Sequence, residues 1–203
     1  IIAEAGGLAT GVLYVVGQPV PTATGTPTAA TDANGAWVNW ASTTTNGTAA
    51  GMNTAVAGFT RKEFNPILIT RIMTGPLITA QRTWVGLFSA TPASSDNPGV
   101  SMAAFRYSTG ASDAGWVAVI KDGTTIQTAA TGVSVVASTA YTLKIDFSVT
   151  TQVRFFINGA LVATLSTNLP AGGTDLQAYE MCTTTEAGVA KNFRVGKFLL
   201  LTR

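Results

Sequence analysis

Tyr141-Thr142-Leu143-Lys144-Ile145-Asp146-Phe147 alternates without a break. Tyr, Leu, Ile and Phe fall on one side of an extended chain and Thr, Lys and Asp on the other, the pattern of a strand with one buried face. Val153-Arg154-Phe155-Phe156-Ile157 follows and runs into Asn158-Gly159. That pair tolerates the two positive φ angles of a type I′ turn, so Leu161–Leu165 must return beside it as a hairpin. Three antiparallel strands in 25 residues set the class: an all-β chain with one face of each sheet turned inward.

The same reading extends in both directions. Pro66–Met73 is β-branched, Arg82–Phe88 alternates imperfectly, and Phe105–Tyr107 and Trp116–Ile120 are apolar runs. Asp122-Gly123 is a second hairpin signal. Further strands are expected near Leu176–Cys182 and over Asn192–Leu201, giving roughly nine to eleven short strands and no persuasive helix. In the last one the alternation breaks into Phe198-Leu199-Leu200-Leu201, which asks for cover on both faces.

The first sixty residues read differently. They hold two charged side chains, Glu4 and Asp32. Val12–Val16 is a short candidate strand, and Pro19, Pro21 and Pro27 fix an extended backbone. The expected organisation is an extended, mostly irregular arm over 1–58 and a β-sandwich over 59–203.

Composition narrows the chemistry. The 203 residues include no histidine and one cysteine, and 11% are charged, against roughly 25% in an ordinary soluble protein. Catalysis through an imidazole and His-ligated zinc are excluded. Cys182 has no partner for an internal disulfide and reads as a small buried hydrophobe. The net charge of +2 gives no basic face for nucleic acid, and no apolar run approaches the ~20 residues of a membrane helix. Mean hydropathy is +0.32. Few charges with so much apolar side chain point to a member of an assembly.

The segment Y-T-L-K-I-D-F, V-R-F-F-I-N-G-A-L-V-A-T and T-N-L-P resembles the concanavalin-A-like (laminin-G-like) jelly rolls of bacteriophage virion proteins. So do Arg82-Thr83-Trp84-Val85-Gly86-Leu87-Phe88 and Phe105–Gly110 with Trp116. The resemblance covers roughly residues 60–203 and marks Trp84, Gly86, Trp116, Asn158 and Gly159 as its signature positions. It implies an antiparallel β-sandwich and a non-enzymatic structural role on a virion. Capsid decoration or a head fibre is the leading form, docked by the N-terminal arm. The alternative it implies is a tail-fibre module that binds a host glycan.

Glycan-cleaving enzymes of this superfamily carry paired carboxylates at alternate strand positions. None of the ten acids here stands two residues from another, so no catalytic residue is assigned and no enzyme is expected. Asp96, Asn97 and Asp113 are the loop residues that would suit calcium, and each reads equally as an ordinary turn residue. No cofactor is expected. Trp84 and Trp116 belong in strands and hence in the core. Trp37 and Trp40, with Tyr14, Phe198 and Leu200, are expected to contact other virion subunits, because buried tryptophan carries much of an interface's binding energy. A homo-oligomer is expected, a trimer being the usual form of such appendages.

Overall fold

The computed structural model describes residues 13–15, 19–21, 27–33, 35–54, 60–92 and 95–202, the first two stretches as backbone only. Two antiparallel sheets face each other. The eight-stranded sheet runs β13(Ala160–Leu165), β12(Val153–Ile157), β11(Ala140–Asp146), β6(Ile67–Thr74), β15(Asn192–Thr202), β4(Gly35–Ala41), β3(Thr28–Asp32), with β1(Leu13–Val15) also on β15. The seven-stranded sheet runs β10(Ile126–Ala130), β9(Val117–Asp122), β8(Ser101–Ser108), β7(Gln81–Phe88), β14(Gln177–Thr184), β5(Ala49–Thr54), β2(Pro19–Pro21). This is the expected β-sandwich.

The alternation of β11 is realised as written. Tyr141, Leu143, Ile145 and Phe147 lie in the core between the sheets. There Phe105 meets Phe155 edge-on at 5.3 Å, and Trp116 meets Tyr141 at 5.6 Å. Each such ring removes 150–250 Å² from water, and edge-on contacts add to that. The Tyr141 hydroxyl donates to Ser134 O and accepts from Val136 N, tying a loop to the core rim. Asn158 and Gly159 have φ of 51° and 86°, and Ile157 pairs with Ala160 across them, the two-residue turn expected there. The Asp122-Gly123 hairpin forms as a wider loop in which Asp122 Oδ1 accepts from the amides of Thr124 and Thr125.

The arm expected over 1–58 is corrected for residues 28–54. β4 pairs with β15 and β5 pairs with β14, both as members of the sheets. Their residues are small and apolar, so they carry a weak strand pattern, yet Trp40, Ala50 and Met52 fill the core. The roles given to Trp37, Trp40 and Leu200 as contacts for other subunits are corrected with it. Trp40 and Leu200 are 3% and 1% exposed inside the core. Trp37 is on the outer face and is covered by its own chain. Its ring lies against Gly196, Arg71 stacks over it at 4.7 Å, and Nε1 donates to Asp32 Oδ1. Phe198 packs against the same core, half-buried. Tyr14 pairs through its backbone with Leu201, and its side chain lies outside the described residues.

A β-bulge in β15 explains the outcome at Phe198 and Leu200. The register shifts between Val195 and Lys197, with Gly196 as the extra residue. A one-residue slip exchanges the faces of everything beyond it. Phe193 and Val195 point inward before the bulge, and Phe198 and Leu200 point inward after it. Leu199 and Leu201 are left outward.

Candidate functional site

The outer face of the seven-stranded sheet is where the chain concentrates its buried polar chemistry. Alternation along β7 and β8 turns Arg82, Trp84, Gly86 and Phe88 outward beside Ser108, Arg106, Ala104 and Met102. β14 adds Tyr179 and Met181. Trp84, Phe88 and Met102 on this face are nonetheless 0% exposed. Gly86 is required in the middle of it, because a Cβ there would stand 2.5 Å from the Ala104 Cβ.

The cover comes from the strap between β7 and β8, described over residues 89–92 and 95–100. Trp84 Nε1 donates to Ser95 O at 3.2 Å. Arg82 Nε meets Asp96 Oδ1 at 2.5 Å, and Arg106 Nη1 donates to Asp96 O at 2.8 Å. Lys121 Nζ, 4% exposed as a residue, donates to Asn97 Oδ1 at 2.7 Å. Beside the strap, Arg106 grips Asp113 through two bonds of 2.9 and 2.8 Å, and Asp113 also accepts from Ser108 N. Burial pushes the Asp96 carboxyl up, but the hydrogen bond from Arg82 and the charges of Arg82 and Arg106 outweigh it, holding it below the ordinary value.

The calcium candidates are thereby placed. Asp96 and Asp113 each neutralise an arginine, and the Asn97 carbonyl takes a lysine. A cation there would have to displace guanidinium and ammonium groups. Among the described residues no group of three or more His, Cys, Asp or Glu gathers to hold a metal.

Glu180 is the acid nearest the middle of this sheet, and it faces the other way. It alternates with Tyr179 and Met181 on β14 and so points between the sheets. It is 0% exposed, and neither carboxylate oxygen has a hydrogen-bond partner. Burial pushes its pKa up to about 8, opposed by the Thr70 hydroxyl. Two residues on, burial pushes the Cys182 thiol up to about 12, opposed by Thr83 and the charge of Lys191. The strand positions on the outer face of this sheet carry no carboxylate among the described residues. Sequence reading missed the strap. Its signal was Arg82 and Arg106, two cations on outward positions, each with an acid in the adjoining loop.

A family model for the SO2946-like C-terminal domain matches residues 20–193. The chain belongs to that family. The match runs across strands β3–β5 and into β15, as the sheet topology does. Among solved structures, the SO2946 protein of unknown function from Shewanella oneidensis MR-1 superposes with a TM-score of 0.61 at 14% identity, over 96% of this chain and 79% of that one. The β-glucanase of Bacillus licheniformis gives 0.56 at 10% identity over 97% and 94%. A carbohydrate esterase from the Shiga toxin-encoding bacteriophage phi24B gives 0.59 at 11% identity over 91% and 90%. These likenesses establish the concanavalin-A-like sandwich for this SO2946-like domain. No curated protein matches the sequence.

Proposed function

We propose that this SO2946-like domain is a non-enzymatic structural component of a phage virion, a decoration or fibre protein. It docks through its N-terminal region as a homo-oligomer and projects the sandwich. The observation that carries the reading is the strap. The outer face of the seven-stranded sheet is covered by residues 89–92 and 95–100 of the same chain, and Glu180 is turned into the core. The ion pairs Arg82–Asp96 and Arg106–Asp113 commit four of the chain's few charges to closing a surface, which suits a part that must hold its shape. The phage setting is supported by the motif resemblance of residues 60–203 and by a phage protein among the structures of like fold.

A carbohydrate-binding module is the second reading. It has one observation of its own: a hollow of about 170 Å³ beside Trp116, lined also by Gly115, Gly132, Val133 and Ser134. The Trp116 indole N–H has no partner. The deciding experiment is a glycan array with the full chain, alongside mass spectrometry of purified particles. No saturable glycan binding and a fixed copy number in particles is the expected result. Saturable binding abolished by Trp116→Ala in a protein that still folds would overturn it.

A further inference from the structure

The outer face of the eight-stranded sheet is built in the opposite sense to the strapped face: among the described residues no loop crosses it. Read across the strands by register, one row is Leu161–Phe156–Lys144–Ile69–Leu199. It crosses five strands, roughly 19 Å at the usual spacing. Leu161 is 55% exposed, and Phe156, Ile69 and Leu199 are half-buried. The Lys144 ammonium lies over the Phe156 ring at 4.7 Å, so the lysine stem continues the apolar surface. The next row adds Ile67 and Leu201, with Tyr14 of β1 opposite Leu201.

Charge on this face is lopsided. Five of the chain's 12 basic residues lie on it: Arg71, Lys144, Arg154, Arg194 and Lys197. Two of its 10 acids do so among the described residues, Asp32 and Asp146. The face therefore carries an excess of three positive charges in a chain whose whole net charge is +2. Lys197 is exposed, with no acid paired to it among the described residues.

We propose that this face is the docking surface of the chain and that its partner is an acidic protein surface with an apolar centre. The proposal rests on the reading of the chain as an assembly component and names the surface that such a component would use. Charge complementarity selects the partner. A second copy offering the same patch would set positive against positive, since a twofold contact is made by one patch with itself. A nucleic acid would want free cations. Here Arg154 and Lys144 already serve Asp146, Arg194 serves Asp32, and Arg71 lies on Trp37. An apolar band ringed by fixed charge is the make-up of a protein interface, with its dry centre and polar rim. β1 lies at the edge of the same face, so docking here is continuous with docking through the N-terminal region.

The test is a photo-crosslinking amino acid placed at Leu161 or Leu199 of the full chain in its own particles. Leu77 and Val136, exposed in loops elsewhere, serve as controls. The expected result is an adduct from the two sheet positions to one other protein, through a segment of net negative charge. Lys197→Glu should lower its yield about tenfold, and Lys62→Glu should leave it unchanged. Leu199→Asp, at a half-exposed site, repeats the test by a different change. Adducts from the control positions alone, to a second copy alone, or to a segment without acidic character would overturn the docking face and leave the assembly role standing. Retention of the full chain by phosphatidylglycerol vesicles, lost in Lys197→Glu, would overturn it in favour of a membrane. Absence of the chain from particles would overturn both.

Discussion

The Glu180 carboxyl lies in the gap between the two sheets, where the Thr70 hydroxyl is the polar group acting on it and neither oxygen is hydrogen-bonded. Thr70 donates its own proton to Lys197 O at 2.8 Å. With that proton committed to Lys197 O, the Thr70 hydroxyl only partly offsets the effect of burial on Glu180.

Stability should therefore fall as the medium becomes alkaline. An unfolded glutamate ionises near 4.5, whereas the folded one holds its proton to about 8. Stability from this group is complete below 4.5, declines as pH rises toward 8, and levels off above. At pH 7 the cost is on the order of 3 kcal/mol, which Glu180→Gln removes. Melting curves between pH 5 and 9 should show the variant gaining over the parent by several degrees at the alkaline end. A parent and variant that stay parallel across that range would show Glu180 to be ionised in the fold.

Arg106 and Asp113, with side chains 11% and 5% exposed, form the buried anchor beside the strap. Asp113→Ala leaves a guanidinium uncompensated, a loss of about 3–5 kcal/mol. Arg106→Met with Asp113→Leu removes both charges and should recover most of that. Hydrogen exchange is expected to quicken across residues 95–100 in the single variant. The Trp84 emission should shift to longer wavelength as Ser95 lets go of its indole. Equal damage from the single and double variants would contradict the account.

Gly196 marks the bulge that turns Phe198 and Leu200 inward. A Cβ there would stand 2.8 Å from the Trp37 ring, so Gly196→Ala must displace the tryptophan from beneath Arg71. The expected cost is about 1–3 kcal/mol, read by denaturant titration, with a changed near-ultraviolet signal from Trp37.

Cys182 is buried, with its thiol pushed up to about 12 by burial. A thiol reagent at neutral pH should leave the native protein unlabelled and modify it promptly in denaturant, because the thiolate is the reacting form. Rapid labelling of the folded chain would show that β14 opens on the timescale of the assay.

Much of this architecture was legible in the residues. β11 and the Asn158-Gly159 hairpin needed only alternation and a turn that accepts positive φ, and both are local properties. β4 and β5 were not legible, because Gly35–Ala41 and Ala49–Thr54 are rich in small residues. Such stretches make strands only when neighbours supply the ladder and the cover, here β15 and β14. The facing of Phe198 and Leu200 depended on one bulge residue, and no periodicity announces where a register slips. The chain by itself determined that the protein is a β-sandwich with no imidazole chemistry, because residue types and short-range spacing suffice for that. Only the tertiary structure decided that Asp96 and Asp113 serve arginines, that Glu180 is entombed, and that one sheet face is strapped while no described loop crosses the other. Those outcomes depend on which loop crosses which face, a relation between residues distant in the chain.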